Sequence, residues 1–216
     1  MTTASLSLEH NLRPSSLTKK APLILMLHGY GSDENDLFSF ASYLPEKYTI
    51  VSAKAPYKLQ PFGNAWYAIN FDANQNKFSD IDQAISSRDK IKNFIEEVIS
   101  AYNIDEEDVT LLGFSQGTIL SFATALSYPK LVKNVVGLSG YIDKNMIDFQ
   151  PKEDYKHLNI YNSHGTMDQV IPVSWAQKTP KVLSELDIEC YYKEFPAAHG
   201  VSQENFASFL EWLNRH

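Results

Sequence analysis

Short apolar runs alternate with longer amphipathic stretches along this chain, and this alternation is the feature that most restricts its fold. The apolar runs cover residues 23–27, 49–53, 109–112, 134–138, 158–161 and 188–195. Strands of this length that alternate with helices build a parallel sheet that is buried on both faces. The sequence therefore predicts an α/β architecture in which helices cover both faces of a mostly parallel central sheet.

Helices are expected between and after these runs, over residues 79–102, 116–127 and 203–215, where apolar residues recur at helical spacing. Residues 173–186 also have a helical pattern, but Pro180 lies inside it and would remove a hydrogen bond from a continuous helix. Either the helix kinks or a second one begins there. Thr179 as N-cap and Pro180 at the first helical position favour a second helix.

The remaining segments are expected to be less regular. Leu6, Leu8, His10 and Leu12 alternate with polar residues, which predicts a strand at one edge of the sheet within residues 1–20. Residues 54–78 have no clear period and are interpreted as a long loop of the kind that is often functional. The 216 residues show no repeat and no linker, so we expect a single domain, residues 1–216, without a large lid.

Charge and cysteine content narrow the expected partners and location. A formal net charge of -7 argues against a nucleic-acid partner, because phosphate backbones favour basic surfaces. Cys190 is the single cysteine and cannot form an internal disulfide. No early apolar run is long enough to span a bilayer, so we expect a cytoplasmic protein without a stable membrane anchor. The sequence leaves monomer and homodimer equally open.

The motif that carries chemistry is Gly113-Phe114-Ser115-Gln116-Gly117, which stands between an apolar run and a predicted helix. A G-x-S-x-G sequence in this setting is typical of a sharp strand-to-helix turn that exposes its serine. A serine hydroxyl is a weak nucleophile at neutral pH and needs a base, which in turn needs a carboxylate to orient it. Ser115 is therefore the candidate nucleophile.

A base and an acid for Ser115 are sought downstream, in the order serine, acid, histidine. Of the histidines in this region (His157, His164, His199 and His216), His199 follows the last predicted strand and has the best placement. Asp168 is the preferred acid because it follows the run 158–161. The competing carboxylates are Asp143, Asp148 and Asp154, and Asp143 is the reserve choice because a predicted strand ends shortly before it.

Ester hydrolysis also needs hydrogen-bond donors for the negative oxygen of its tetrahedral intermediate. The backbone N–H of Gln116, directly after the serine, is one candidate. The other is the backbone N–H of Tyr30 in His28-Gly29-Tyr30-Gly31, where glycines allow close approach of a substrate. The aromatic residues Phe62, Trp66, Tyr67 and Phe71 are candidates to line an acyl pocket, although aromatic residues are also common in cores.

Together, these motifs resemble the phospholipase/carboxylesterase family of α/β-hydrolases, which includes the acyl-protein thioesterases. The resemblance runs from about residue 22 to the C-terminus and rests on HGYG, Trp66-Tyr67, GFSQG, Gly165 with Asp168, and Ala198-His199-Gly200. It implies an α/β-hydrolase fold, a Ser115–Asp168–His199 triad, oxyanion donors at Tyr30 and Gln116, and no cofactor or metal. It also implies a small-molecule ester or acyl substrate.

Three positions depart from the family pattern: Tyr30 where leucine is common, Thr118 where glycine is frequent, and Ala68 where aspartate is usual. None of them is a catalytic group in the predicted triad. We therefore expect a serine hydrolase for carboxylic esters or thioesters that works through an acyl-enzyme. The alternatives are a lysophospholipase and an inactive binding protein that keeps the fold.

Overall fold

The structure is a computed structural model that describes residues 4–71 and 77–216, with the backbone alone at residues 71, 77 and 78. In chain order the strands are β1 (His10–Arg13), β2 (Ala21–Leu27), β3 (Thr49–Ala53), β4 (Tyr57–Lys58), β5 (Asn64–Ala65), β6 (Ile69–Phe71), β7 (Lys77–Ser79), β8 (Ile104–Phe114), β9 (Asn134–Leu138), β10 (Asn159–Gly165) and β11 (Cys190–Phe195). The α-helices are α1 (Ile81–Ala101), α2 (Gln116–Ser127), α3 (Val173–Ala176), α4 (Thr179–Ser184) and α5 (Gln203–Leu213). Short 3-10 helices cover Leu37–Tyr43, Pro129–Leu131, Lys144–Met146 and Lys152–Tyr155.

Seven strands form the central sheet in the order β1-β3-β2-β8-β9-β10-β11. All neighbours in this sheet are parallel except β1, which pairs antiparallel with β3 at the edge. The predicted mostly parallel α/β sheet is thus confirmed. Because the parallel strands point the same way, the loops that follow β8, β10 and β11 meet at one edge of the sheet.

Both faces of the sheet are covered, as the apolar runs indicate. Successive side chains of a strand point to opposite faces. In β2, Leu23, Leu25 and Leu27 pack in the core on the side of α1, α2 and α4. Ile24 and Met26 pack in a second core, on the side of α5 and the 3-10 helix Leu37–Tyr43. This two-sided burial explains why β2 is apolar at nearly every position.

Three local predictions need correction. Thr179 is not an N-cap but the first residue of α4, because Lys178 before it already has helical φ and ψ of -79° and -21°. Pro180 is tolerated in the first turn, where its missing N–H has no helical acceptor. Residues 54–78, interpreted as a loop, form two short antiparallel hairpins in their described part, β4 with β5 and β6 with β7. The run 109–112 belongs to a longer strand, β8, with a register shift near its start.

Candidate active site

Ser115 lies in a strained turn between β8 and α2. Its φ of 55° and ψ of -115° are rarely adopted by a residue with a side chain. The backbone N–H of Ser115 donates to the Leu138 carbonyl at 2.8 Å and holds the turn on β9. A Cβ on Gly113 would lie only 2.5 Å from the Gly117 carbonyl oxygen, and a Cβ on Gly117 would overlap the Leu27 carbonyl. The two glycines therefore allow the backbone crossing that presents Ser115.

The structure brings Ser115, His199 and Asp168 into one hydrogen-bonded chain. The Ser115 hydroxyl oxygen is 2.9 Å from Nε2 of His199, and Nδ1 of His199 is 2.6 Å from Oδ2 of Asp168. A carboxylate can only accept here, so the proton of the imidazole lies on Nδ1 and Nε2 is free to accept from the serine. This is the geometry of a nucleophile, its base and an orienting acid.

The surroundings of Asp168 keep its carboxyl group ionised. Oδ1 accepts hydrogen bonds from the backbone N–H groups of Val170 at 2.8 Å and Ile171 at 2.9 Å. Burial raises the pKa of the Asp168 carboxyl, but the hydrogen bonds from His199, Ile171 and Val170 outweigh it and hold that pKa below its usual value. An ionised carboxylate is the form that stabilises a protonated imidazole.

A second histidine lies against the same carboxylate. His164, at the end of β10, is fully buried, and its Nε2 is 2.9 Å from the Ile171 carbonyl and 3.2 Å from Oδ2 of Asp168. His164 precedes the acid in the chain, so the order serine, acid, histidine predicts no role for it. The signal that could have found it is its spacing of four residues from Asp168 across a tight turn.

None of the carboxylates that compete with Asp168 contacts His199, and two of them have other partners. Asp143 lines the same cavity as Ser115, but its Oδ1 accepts from the backbone and side-chain nitrogens of Asn145 at 3.1 and 2.9 Å. Asp148 forms an ion pair with Arg88 at 2.7 Å. Asp154 lies in the 3-10 helix Lys152–Tyr155. Of these four carboxylates, Asp168 is the one that contacts His199.

The proposed oxyanion donors belong to residues that share a cavity with the serine. Tyr30 and Gln116 both line the cavity that contains Ser115 and His199. Within the described residues, neither of their backbone N–H groups donates to another protein group. The Gln116 side chain has a separate task, since its Oε1 accepts from the Trp66 N–H and its Nε2 donates to the Tyr67 carbonyl, both at 2.8 Å.

The cavity at Ser115 has a volume of about 710 Å³, which is within the usual range for small-molecule sites. Its walls are mostly apolar or aromatic, formed by Tyr67, Ile69, Ile81, Ile119, Tyr141 and Trp175. A second cavity of about 690 Å³ lies near the start of β10 and β11, and none of the three residues Ser115, Asp168 and His199 lines it. The first cavity is therefore the candidate site.

Of the four aromatic residues predicted for the pocket, the structure places only Tyr67 in the cavity wall among the side chains that it describes. Phe62 is 78% exposed, because the tip of the β4–β5 hairpin carries it into solvent. Trp66 is fully buried, and its Nε1 donates to the His28 carbonyl at 3.0 Å, so it supports the first residue of the HGYG loop. The Phe71 side chain lies outside the described part of the chain.

A family model described as phospholipase/carboxylesterase matches residues 14–216. The chain belongs to the phospholipase/carboxylesterase family. Within this family's relatives, acyl-protein thioesterase 1 of Kluyveromyces lactis is 26% identical over 211 residues, which cover 89% of this chain and 91% of that protein. Carboxylesterase SOBER1 of Arabidopsis thaliana is 31% identical over 117 residues, which cover 53% of this chain and 51% of that protein.

Solved structures show the same fold at low sequence identity. The Bacillus cereus carboxylesterase has a TM-score of 0.84 at 17% identity, with 97% of this chain and 94% of that chain covered. Zea mays acyl-protein thioesterase 2 has a TM-score of 0.74 at 19% identity, with 96% and 98% covered. This phospholipase/carboxylesterase family member therefore has the α/β-hydrolase fold, as the motifs predicted.

None of the described helices combines the length and the apolar character that crossing a membrane requires. No group of three or more His, Cys, Asp or Glu side chains suited to hold a metal ion was found within residues 4–71 and 77–216.

Proposed function

We propose that the protein is a serine hydrolase that cleaves carboxylic ester or thioester bonds through an acyl-enzyme. The observation that carries this proposal is the unbroken chain of contacts from the Ser115 hydroxyl to His199 and on to Asp168, at 2.9 and 2.6 Å. Family membership supports the same chemistry, and relatives named as thioesterases and carboxylesterases support both bond types.

The contacts assign a role to each group. His199 Nε2 takes the proton of Ser115 as the serine oxygen attacks the carbonyl carbon of the substrate. The negative oxygen that forms is stabilised by the backbone N–H groups of Tyr30 and Gln116. When the tetrahedral intermediate collapses, His199 returns the proton to the leaving alcohol or thiol, and Asp168 stabilises the imidazolium between the two steps. Water then attacks the acyl-Ser115 ester by the same route.

The shape and lining of the cavity support the proposal that it binds an apolar acyl group of the substrate. Its volume of about 710 Å³ and its aromatic and isoleucine walls suit a hydrocarbon chain better than a sugar or a nucleotide. A panel of p-nitrophenyl esters of graded chain length, with a matched thioester and a lysophospholipid, identifies the preferred class. The greatest kcat/KM is expected for a neutral acyl ester or thioester.

The test of the reaction is hydrolysis of these esters by the wild type and by Ser115→Ala. We expect kcat to fall by about 10³-fold or more, because removal of a triad member leaves only the contribution of binding and the oxyanion hole. Ser184→Ala is the matched control, since Ser184 is an exposed serine on α4 and its change should leave the rate unaltered. Equal rates for wild type and Ser115→Ala would exclude the proposed mechanism.

A fluorophosphonate probe separates a hydrolase from an inactive binding protein of the same fold. We expect covalent labelling of wild type at Ser115 and none of Ser115→Ala, because only an activated serine attacks phosphorus. Absence of labelling in the folded wild-type protein would favour the binding-protein alternative.

We also propose that residues 1–216 act as one domain in the cytoplasm. One seven-stranded sheet carries strands from His10 to Phe195, and cores on both of its faces include residues from both halves of the chain. A single cysteine, Cys190, suits a reducing compartment. Light scattering distinguishes a monomer from a homodimer.

A further inference from the structure

His164 is a fully buried ionisable side chain that the proposed mechanism does not use. It is the second-last residue of β10, close to the turn that carries Asp168. Its Nε2 lies 2.9 Å from the Ile171 carbonyl oxygen and 3.2 Å from Oδ2 of Asp168. The same Oδ2 receives the Nδ1–H of His199 at 2.6 Å. Two imidazole rings therefore meet at one carboxylate oxygen.

The contacts of His164 define which of its nitrogens carries the proton. The Ile171 carbonyl and the Asp168 carboxylate are both acceptors, so Nε2 must be a donor. A bare Nε2 lone pair between two oxygens would be repelled by both. Nδ1 has no hydrogen-bond partner among the described residues, so the polar contacts of the ring are directed at the Asp168 turn.

The hydrogen bond to Ile171 connects His164 to both oxygens of Asp168. Ile171 accepts from His164 through its carbonyl, and its N–H donates to Oδ1 of Asp168 at 2.9 Å. The His164 ring thus holds Ile171, which lies three residues after Asp168 in the same turn. The Nε2–H itself donates to the Ile171 carbonyl, and its positive end lies near Oδ2, 3.2 Å from Nε2, where it stabilises the negative oxygen in a buried site.

We propose that His164 is a positioning residue for the reaction, which orients the Asp168 carboxylate toward His199. This inference rests on the proposed function, because Asp168 has a catalytic role only if Ser115 is the nucleophile. His164 does not touch the substrate or Ser115 in this arrangement, so it acts through Asp168.

The test compares His164→Met with His164→Gln. The two new side chains have similar length and volume, but only glutamine carries a hydrogen-bond donor. We expect His164→Met to lower kcat for a p-nitrophenyl ester by roughly 10- to 100-fold, less than the about 10⁴-fold that a wrong tautomer of the triad histidine can cost. KM should stay within about twofold, because the acyl cavity is unchanged. His164→Gln should restore most of kcat, since its amide can donate to the Ile171 carbonyl.

His157 provides a matched control. Its Nε2 also contacts backbone carbonyls, of Pro129 at 2.9 Å and Val132 at 3.1 Å, but the residue is exposed and does not contact Asp168. His157→Met should therefore leave kcat and KM unchanged. An equal loss of kcat in His157→Met and His164→Met would show a general effect of losing a histidine that contacts backbone carbonyls, and would overturn the positioning role.

A spectroscopic readout makes the result independent of turnover. The proton between His199 Nδ1 and Asp168 should give a strongly downfield ¹H resonance, and we expect it in wild type and His164→Gln but lost or moved upfield in His164→Met. If His164→Met does not fold, ¹⁵N shifts of the wild-type histidines decide the question. A proton on Nδ1 of His164 instead of Nε2 would overturn the inference.

The outcomes separate this inference from the proposed function. Full activity of Ser115→Ala would refute the hydrolase mechanism, whatever the resonance of His199 shows. An unchanged kcat and an unchanged resonance in His164→Met would refute the role of His164 and leave the Ser115 mechanism intact.

Discussion

Asp143 places a carboxylate in the wall of the cavity that contains Ser115. No lysine or arginine was found among the described residues of that wall, so the local charge is negative. Burial, with the nearby Asp143 charge, raises the pKa of Tyr141 to about 12, and this tyrosine remains neutral at physiological pH. Single residues thus set the charge of the site, while its walls set its shape.

We expect Asp143→Asn to improve hydrolysis of anionic substrates. Removal of a like charge near the acyl chain should raise kcat/KM for a p-nitrophenyl ester with a terminal carboxylate by about threefold to tenfold relative to its neutral analogue, because like charges at a solvated surface repel each other by roughly 1 kcal/mol. Asp187→Asn is the control, because Asp187 lies outside this cavity and its left-handed backbone, with φ of 61°, suits asparagine. An unaltered ratio in Asp143→Asn would mean that this carboxylate does not contact the acyl chain.

The strand–turn–helix element of β8, Ser115 and α2 depends on a residue where this chain departs from its family. Thr118 is fully buried, and its hydroxyl oxygen lies 2.7 Å from both the Gly113 and the Leu138 carbonyl oxygens and accepts from the Leu138 N–H at 2.9 Å. A glycine here could make none of these side-chain contacts. The hydroxyl therefore connects the start of α2 to the ends of β8 and β9.

Replacement of Thr118 by valine should destabilise the protein. Valine has nearly the same shape but leaves a buried N–H and buried carbonyls without that hydroxyl, which typically costs about 1–3 kcal/mol in the free energy of unfolding. Urea denaturation of Thr118→Val and Thr118→Ser measures the effect, since serine keeps the hydroxyl. If the serine variant lost as much as the valine variant, packing of the methyl group would be the main contribution.

Across the whole molecule, the parallel sheet gathers residues that are distant in the chain. Ser115 and His199 are separated by 84 positions, and Asp168 and His199 by 31. They meet because β8, β10 and β11 end at the same edge of one sheet. The Asp168 carboxylate accepts its hydrogen bonds only in the folded chain, so its ionisation and the stability of the fold are coupled.

This coupling predicts a contribution of Asp168 to acid unfolding. A carboxyl group whose pKa is lower in the folded than in the unfolded chain stabilises the fold when ionised, and the pKa of Asp168 is shifted in that direction. Its contribution is complete above the unfolded pKa and is lost as the pH falls through the folded one. Urea unfolding of wild type and Asp168→Asn should show a wild-type stability that declines relative to the variant below about pH 5. A constant difference down to about pH 2.5 would contradict the shift.

Local patterns in the sequence were sufficient for most of the central sheet. The predicted runs 49–53 and 134–138 match β3 and β9 at both ends, and the helix predicted over residues 116–127 matches α2. These elements are buried on both faces, so nearly all of their residues are apolar or small, and this pattern is visible in the sequence. The β4–β5 and β6–β7 hairpins are too short to show a period, and their strands were missed.

The candidate site was likewise predictable from the sequence only in part. Motif order along the chain was enough to select Ser115, Asp168 and His199, because the strand-end loops of a parallel sheet follow from the alternation of strands and helices. The chain order says nothing about side-chain direction, so it could not show that Phe62 faces solvent, that Trp66 supports the HGYG loop or that His164 contacts Asp168. Local periodicity and order thus determine which elements and motifs exist. Contacts between side chains depend on how those elements pack, and packing arises only when the whole sheet has formed.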